Sequence, residues 1–256
     1  YRYWHLLCAM KDTVRECYIA IFLFIEAVTK GLNKPMRYAL AKRTALITCA
    51  DQYMGPAIKT KFMALGLNIV AVESPLLSEQ AAKDLVTSVG QIDIFVANFA
   101  KMPMTGPVQS ILNEDWLRLF DVLAHPLMYI TRAGVLQMLG RKSGKIIAVT
   151  SAAPVKGLAN NSAYSAARGV QNAFIKSIGL ELARSNIQAN AIAQNYINNQ
   201  TYYPNNILDN EKFLYHVRRN LPANKVGAAE ETAELAAYLA ACLLYTSPSP
   251  RDPTSS

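Results

Sequence analysis

The chain has 256 residues, of which 52% are hydrophobic and 17% are charged. This composition supports one large folded α/β domain and excludes an intrinsically disordered chain. The formal net charge is +8, and the excess of Lys and Arg within residues 1–42 supplies half of it. Because no Lys/Arg run with interleaved aromatic residues occurs in the rest of the chain, we expect no nucleic-acid partner.

The cysteines and histidines give no sign of a metal site or a disulfide framework. They are Cys8, Cys17, Cys49 and Cys242, and His5, His125 and His216. No Cys-x-x-Cys pair occurs, and the histidines are scattered along the chain. This usage is typical of a reducing compartment, so we expect a cytoplasmic protein without a bound metal.

The two terminal segments differ from the rest of the chain. The apolar run over residues 18–25 is too short to cross a bilayer, which needs about twenty apolar residues, so no membrane partner is expected. Residues 242–256 contain three prolines and several serines, a composition that precludes a central strand. We therefore expect a non-native extension over residues 1–35, one folded domain over residues 36–241, and a disordered, non-native tail over residues 242–256.

From residue 43 onward, apolar runs that predict strands alternate with patterns that predict helices. The predicted strands lie over 45–47, 67–72, 92–97, 145–150 and 187–192. The predicted helices between and after them begin at Pro56, cover 78–89 with Ser78 as the N-cap, begin at Asn113, and cover 126–139, 161–184 and 228–241. This alternation indicates a doubly wound parallel sheet in a three-layer α/β/α, Rossmann-like fold. In such a fold, ligands bind beyond the carboxyl ends of the strands.

The loop over residues 48–55 lies between the first strand and the first helix, where dinucleotide-binding proteins carry a glycine-rich loop. Glycines are needed there because a Cβ atom blocks the approach of the pyrophosphate. Only Gly55 meets this requirement, while Cys49 and Tyr53 occupy positions that need small residues. The sequence therefore predicts a loop that is closed to dinucleotides, with the Tyr53 ring in the cofactor's place.

A second group of polar residues follows the strand over 145–150. Ser151 comes directly after this strand, and Tyr164 and Arg168 are four residues apart on the next helix, so they share one face. A free phenol has a pKa of about 10 and is a weak base at neutral pH. A neighbouring guanidinium favours the phenolate form, and a serine hydroxyl can hold a substrate oxygen. These residues therefore predict general-base removal of a proton from an alcohol.

The spacing of Ser151 and Tyr164 resembles that of the short-chain dehydrogenase/reductase family, whose usual third member is a lysine. Arg168 in that place, together with the Thr-x4-Tyr-x-Gly pattern over residues 48–55, resembles the halohydrin dehalogenases, which are cofactor-independent relatives of those reductases. The resemblance covers about residues 43–241.

This resemblance implies a lyase that converts vicinal halohydrins to epoxides with release of halide and opens epoxides with azide, cyanide or nitrite. It implies that no cofactor takes part and that four copies assemble by pairing the helices over 126–139 and 161–184. Related proteins continue after their last helix into a further strand. The Pro-rich segment over residues 242–256 therefore implies that the last strand of the sheet is missing.

The resemblance also implies the residues of a halide site. The segment after the strand over 187–192 matches the family's halide-binding segment, with Tyr53 as the opposite wall. The implied halide-binding residues are Tyr53, Gln194, Asn195, Tyr196 and Ile197. Pro154, shortly after Ser151, is expected to line the substrate cavity.

Two other functions stay open on the sequence. One is an NAD(P)-dependent reductase with an unusual cofactor loop, because Glu73 follows the second strand, where a ribose-binding acid would be. The other is a non-catalytic relative that keeps only the fold and its oligomeric assembly. The presence of Ser151, Tyr164 and Arg168 together argues against the second.

Overall fold

The computed structural model describes residues 40–73, 76–203, 205–208 and 210–241. The predicted extension over residues 1–35 and the predicted tail over residues 242–256, with the missing last strand, lie outside these ranges. Within the described ranges, no helix is long and apolar enough to cross a membrane.

Strands and helices alternate along the described chain. The strands are β1 (Thr44–Thr48), β2 (Asn68–Val72), β3 (Ile94–Ala97), β4 (Gly144–Ser151) and β5 (Ile187–Gln194). The helices are α1 (Gly55–Ala64), α2 (Glu79–Val89), α3 (Asn113–Leu123), α4 (His125–Arg141), α5 (Ala153–Lys156), α6 (Ser162–Ala183), α7 (Asn205–Leu208), α8 (Glu211–Asn220) and α9 (Ala229–Ala241), with a 3-10 turn over Val108–Ser110.

The five strands form one parallel sheet in the order β2-β1-β3-β4-β5. The central strands β3 and β4 are almost wholly buried, as expected for strands covered by helices on both faces. The order reverses between β1 and β3, which places a crevice at the carboxyl edge of the sheet. The predicted doubly wound, Rossmann-like α/β fold is confirmed.

Two strand boundaries differ from the prediction because of specific hydrogen bonds. β3 begins at Ile94 rather than at Ile92, since the Ile92 N–H donates to the side chain of Gln137 at 3.0 Å. The Asp93 carboxylate accepts from the Thr44 N–H at 2.9 Å and so ties the start of β3 to β1. β5 runs beyond residue 192 to Gln194 because it continues to pair with β4 as far as Ser151.

The helix starts follow their sequence signals. The Ser78 hydroxyl accepts a hydrogen bond from the Ala81 N–H at 3.1 Å, which confirms the predicted N-cap of α2. Pro56 and Pro126 lie in the first turns of α1 and α4, where a missing N–H costs nothing.

Two apolar layers cover the faces of the sheet. On one face, α1 and α9 pack on β1 and β4 through a cluster that includes Ile47, Phe62 and Ala236. On the other face, α2, α4 and α6 contribute to a cluster that includes Leu46, Ile130 and Ile175. The two clusters hold the sheet edge that carries the loops after β1, β3, β4 and β5 in a fixed position.

The strand β5 forms one margin of the described sheet. It pairs with β4 along all eight of its residues, and no described residue pairs with its other side. Ala191 and Ala193 on this strand are exposed. An open edge of this kind can accept another strand.

Candidate active site

The sequence-predicted residues lie at the carboxyl edge of the sheet. Tyr53 is in the loop after β1, and Ser151 and Gln194 are the last residues of β4 and β5, where they pair in register. Tyr164 and Arg168 are on α6, which packs against both β4 and β5. The fold therefore brings together segments that are more than a hundred residues apart in the chain.

Tyr164 and Arg168 form a buried pair one helical turn apart. Their side chains are only 7% and 3% exposed. The Arg168 Nε–H donates to the Tyr164 hydroxyl at 3.0 Å, and the guanidinium carbon lies 5.3 Å from the centre of the phenol ring. The pair has both a directed hydrogen bond and a cation close to the hydroxyl, as the four-residue spacing predicts.

The Arg168 guanidinium has no carboxylate partner among the described residues. It donates to the Phe99 carbonyl at 2.8 Å, to the Gln171 side-chain oxygen at 2.8 Å and to the Tyr202 hydroxyl at 3.4 Å. Burial by itself lowers the pKa of Arg168, but its interactions with Tyr164 and Tyr202 outweigh this effect and raise the pKa above its ordinary value. Arg168 is therefore a buried cation whose only ionisable partners within the described chain are phenols.

Ser151 lies half-buried at the end of β4, at the start of a tight turn. Its Oγ accepts from the Ala153 N–H at 3.1 Å, and its carbonyl accepts from the Asn172 side chain at 3.0 Å. Its own O–H donates to no described residue, so it is available to a ligand oxygen. Pro154 is half-buried, and it is the residue that a Cβ at Gly169 of α6 would approach, at 3.5 Å.

The loop between β1 and α1 folds back on itself. Cys49 and Tyr53 both have left-handed backbone conformations, with φ of 47° and 52°. The Asn98 side chain, at the end of β3, donates to the carbonyls of Cys49 and Gln52 at 3.0 and 2.9 Å. A Cβ at Gly55 would lie 2.3 Å from the Cys49 carbonyl oxygen, so glycine is required there for loop packing. Gly55 is therefore needed so that the loop can pack closely against the start of α1.

The loop after β1 differs from a dinucleotide-binding loop in its helix-start donors and in its glycines. A pyrophosphate needs free N–H groups at the helix start. In α1, the Gly55 N–H donates to the Gln52 carbonyl at 2.8 Å, Pro56 has no N–H, and the Ile58 N–H donates to the Met54 carbonyl at 3.1 Å, which leaves the Ala57 N–H without an acceptor among the described residues. The side chains of Cys49 and Tyr53 occupy positions with positive φ, where glycine would open the loop.

The Tyr53 ring lies beside the buried pair. It packs against the Tyr202 ring with a centroid distance of 5.6 Å. Burial raises the pKa of Tyr53, and the thiol of Cys49 adds to this, while Arg168 acts in the opposite direction. Because Tyr202 accepts a hydrogen bond from Arg168, the Tyr53 ring is separated from the buried pair by one side chain.

The segment after β5 has three consecutive backbone donors without acceptors. The N–H groups of Asn195, Tyr196 and Ile197 donate to no group in the described part of the chain. Tyr196 between them has a left-handed φ of 49°. Successive N–H groups around a left-handed residue form a concave surface that binds anions.

The side chains of the predicted halide residues point in different directions. The Tyr196 hydroxyl is hydrogen-bonded to Nε2 of His216 at 2.6 Å, and burial raises its pKa. The Gln194 side-chain oxygen accepts from the Thr232 hydroxyl at 3.1 Å, and its carbonyl accepts from the Ala152 N–H at 3.0 Å. Ile197 packs on Gly227, while the Asn195 side chain is exposed. The groups in this segment that can donate to an anion are therefore its backbone N–H groups.

Three residues of the site are missing from the sequence-based prediction: Asn98, Gln171 and Tyr202. Gln171 follows Arg168 by three residues on the same buried helix face, a spacing that could have identified it. Tyr202 belongs to a group of three tyrosines within residues 196–203, which could have indicated an aromatic wall. Asn98 follows β3 and gives no distinguishing signal.

A doubly wound sheet that carries Ser151 and Tyr164 at its carboxyl edge agrees with the short-chain dehydrogenase/reductase class that the sequence resembles. The family model described as enoyl-(acyl carrier protein) reductase matches residues 64–243, more than half of the chain. The chain therefore belongs to this family of short-chain dehydrogenases and reductases.

The curated relatives are oxidoreductases. The 2-dehydro-3-deoxy-L-rhamnonate dehydrogenase (NAD(+)) of Sphingomonas sp. (strain SKA58) is 30% identical over 162 residues, which cover 62% of this chain and 63% of that protein. The 2-dehydro-3-deoxy-D-gluconate 5-dehydrogenase of Bacillus subtilis (strain 168) is 28% identical over 229 residues, which cover 79% of this chain and 89% of that protein.

Similar solved structures include two dehalogenases. A protein described as a dehalogenation enzyme has a TM-score of 0.72 and 26% identity, and the match covers 78% of this chain and 91% of that one. The halohydrin dehalogenase HheC, bound to ethyl (2S)-oxiran-2-ylacetate, has a TM-score of 0.71 and 23% identity over 77% of this chain and 89% of its own. A gluconate 5-dehydrogenase from Burkholderia cenocepacia J2315, in complex with NADP and tartrate, matches as well, with a TM-score of 0.71 and 22% identity over 81% and 91%.

Proposed function

We propose that this chain is a cofactor-independent halohydrin dehalogenase, a lyase that converts vicinal halohydrins to epoxides and halide. The observation that carries the proposal is the loop after β1, where Cys49 and Tyr53 stand at positive-φ positions and the Tyr53 ring packs on Tyr202, which accepts a hydrogen bond from Arg168. In this proposal the Tyr53 side chain takes the place of a hydride acceptor, so the electron pair from the substrate leaves by another route. A carbon–halogen bond next to the alcohol supplies that route.

Tyr164 is the base in this proposal. Arg168 is buried without a carboxylate, and a phenolate at Tyr164 compensates its charge across the 3.0 Å hydrogen bond. Tyr164 takes the hydroxyl proton of the halohydrin while the Ser151 O–H donates to the same substrate oxygen. The alkoxide then attacks the adjacent carbon, the second C–O bond of the epoxide forms, and the carbon–halogen bond breaks with its electron pair on the halide.

The leaving halide binds the segment after β5 in this proposal. Its ligands are the N–H groups of Asn195, Tyr196 and Ile197, preorganised by the left-handed conformation at Tyr196. Tyr53 forms the opposite wall, Gln194 anchors the segment through Thr232, and Pro154 lines the substrate side. In the reverse direction the same donors hold azide, cyanide or nitrite for attack on an epoxide.

The test is halide release from 1,3-dichloro-2-propanol or its bromine analogue in a buffer free of nicotinamide cofactors. We expect saturable release of chloride or bromide together with the epoxide. The absence of halide release by the folded protein, with a known dehalogenase active under the same conditions, would refute the proposal.

A second candidate is an NAD(P)-dependent oxidoreductase, which the curated relatives favour. Glu73 is exposed directly after β2 and is close enough to Cys49 to contribute to its raised pKa, so it lies beside the loop. A carboxylate at this point can bind a ribose hydroxyl. Saturable quenching of NADH or NADPH fluorescence, with alcohol-dependent reduction of NAD(P)⁺, would favour this function over dehalogenation.

We also propose a homotetramer formed through α4 and α6. Leu136 on α4 and Leu180 on α6 are 70% and 67% exposed, so each offers an apolar side chain to a neighbouring copy. Light scattering on a gel-filtration column should give four times the chain mass. Leu136→Lys and Leu180→Lys together should give smaller species, whereas a monomeric unaltered protein would contradict the assembly.

The domain limits remain a proposal as well. We propose that residues 36–241 fold without the flanking segments. A chain shortened to begin at Met36 should keep the cooperative thermal unfolding of the full chain. Loss of the folded state on this truncation would show that residues 1–35 belong to the domain.

A further inference from the structure

Tyr202 lies where the anion-binding segment meets the buried pair. Asn199 fixes this part of the chain, because its side-chain oxygen accepts from the N–H groups of Thr201 and Tyr202 at 3.1 and 2.9 Å. The amide nitrogen of the same side chain donates to the Ile197 carbonyl at 3.1 Å. One asparagine therefore joins the proposed halide ligands to Tyr202.

The hydroxyl of Tyr202 has partners on both sides. It donates to the Lys101 carbonyl at 2.7 Å, and it accepts from the Arg168 guanidinium at 3.4 Å. The same guanidinium donates to the Tyr164 hydroxyl at 3.0 Å. The Tyr202 ring packs on Tyr53 on one side and on Tyr203 on the other, with centroids 5.6 and 6.3 Å apart. One guanidinium thus joins the Tyr202 hydroxyl to the oxygen that the proposed base must ionise.

The two phenols share one guanidinium but have different surroundings. Burial raises the pKa of Tyr202, so its hydroxyl keeps its proton at neutral pH. A neutral Tyr202 does not compensate the charge of Arg168, so the guanidinium stays available to favour a phenolate at Tyr164. The Tyr202 hydroxyl therefore orients the guanidinium without competing for its charge.

We infer that Tyr202 is a positioning residue for the proposed reaction, whose hydroxyl holds the Arg168 guanidinium against Tyr164. This inference rests on the proposed function for its kinetic consequence. Through Asn199, the segment that binds the leaving anion also fixes the group that strengthens the base.

The experiment compares Tyr202→Phe with Tyr203→Phe. Both variants lose one phenolic hydroxyl and keep the ring. Of these two tyrosines, Tyr202 is the one whose hydroxyl makes a hydrogen bond to a described residue. The measurements are the pH profile of halide release, the inhibition constant of bromide, the thermal unfolding temperature, and the appearance of tyrosinate absorbance as the pH is raised. The last of these needs no activity.

We expect Tyr202→Phe to move the pH of half-maximal kcat upward by about half a unit to one unit. The rate below that pH then falls about three- to ten-fold. The pH at which the first tyrosinate absorbance appears should rise by the same amount. The inhibition constant of bromide and the unfolding temperature should stay close to those of Tyr203→Phe. Tyr203→Phe should keep the pH profile of the unaltered protein.

Identical pH profiles and identical tyrosinate titrations in the two variants would overturn the inference and leave the proposed function intact. An unaltered protein that releases no halide would sink the proposed function instead. The tyrosinate titration still decides the placement of Tyr202 in that case, because an unshifted first tyrosinate in Tyr202→Phe overturns it.

Discussion

The loop after β1 and the segment after β5 lie at the same edge of the sheet but differ in the arrangement of their backbone donors. At the start of α1, the N–H groups of Gly55 and Ile58 are bonded, Pro56 has none, and the Ala57 N–H has no acceptor among the described residues. In residues 195–197, three consecutive N–H groups donate to no described acceptor. The start of α1 therefore presents one isolated donor, whereas residues 195–197 present a consecutive group of three.

This difference shows that a fold does not decide which of its loops binds a ligand. A doubly wound sheet brings several strand ends to one edge, and each loop there can bind an anion if its donors are free. Cys49, Tyr53 and Tyr196 share a left-handed backbone, so what differs is the grouping of the unbonded N–H groups. The buried pair is connected to both regions through Tyr202, which accepts from Arg168 and packs on Tyr53.

Removal of the proposed base should have the largest effect. Tyr164→Phe deletes the hydroxyl that accepts from Arg168 Nε and should lower kcat for halide release by about 10²- to 10⁴-fold. Ion chromatography of released halide measures the loss. Tyr238→Phe, on the exposed side of α9, is the control and should keep full activity. Comparable activity in the two variants would show that Tyr164 is not the base.

Arg168→Lys tests whether the third residue distinguishes this site from a reductase site. A lysine has three donors and cannot replace the four hydrogen bonds that Arg168 makes to Tyr164, Phe99, Gln171 and Tyr202. We expect a loss of about 10- to 100-fold in kcat and no gain of NAD(P) binding, because the loop after β1 is unchanged.

The surface arginine Arg132, paired with Glu79, provides the control for this exchange, and Arg132→Lys should be close to neutral. Acquisition of tight NADPH binding by Arg168→Lys, measured by fluorescence, would contradict the proposal that the loop excludes the cofactor.

Gly55→Ala tests how tightly the loop after β1 is packed. The added Cβ would lie 2.3 Å from the Cys49 carbonyl oxygen and 2.6 Å from the Ala50 carbonyl, so the loop must move. We expect the free energy of unfolding to fall by about 1–3 kcal/mol, as measured by urea denaturation. Gly140→Ala in α4 meets no atom within 4 Å and should not destabilise the protein. Equal stability of the two variants would show that the loop is not closed in this way.

Cys49→Ala tests the same loop through its pH dependence, and its effect should be the smallest. Burial, with a contribution from Glu73, raises the pKa of the Cys49 thiol to about 11. Because the folded state holds the proton more tightly than the unfolded state, the stabilisation is fully present below the unfolded pKa of about 9 and is lost as the pH rises towards 11. The unfolding temperature should therefore fall less steeply between pH 8 and pH 11 in Cys49→Ala than in the unaltered protein. Parallel curves for both proteins would contradict the buried position of the thiol.

The fold follows from the sequence because its signals are local. The Ser78 cap, the prolines of α1 and α4, and the continuous apolar runs of β3 and β4 each depend on a few neighbouring residues. Boundaries that depend on distant partners are wrong by one or two residues, as at Ile92, whose N–H is bonded to Gln137. Long-range hydrogen bonds of this kind leave no periodic pattern in the chain.

The candidate site is only partly predictable for the same reason. The spacing of Tyr164 and Arg168 encodes their contact, since both are on one helix. The contact of Tyr202 with Arg168 joins a helix to a loop 34 residues later and depends on how Asn199 folds that loop. Likewise, the bond between Tyr196 and His216 depends on the position of α8 over the segment. The assigned roles of the halide-binding residues stay predictions.

The central claim concerns where an anion binds and where a dinucleotide cannot. A crystal structure of the protein with bromide and NADPH both present tests it directly, because the anomalous signal of bromide identifies the ion. We predict bromide within about 3.5 Å of the N–H groups of Tyr196 and Ile197, facing Tyr53, and no nucleotide along the loop after β1. NADPH bound against residues 48–55, with its nicotinamide beside Tyr164, would contradict the claim.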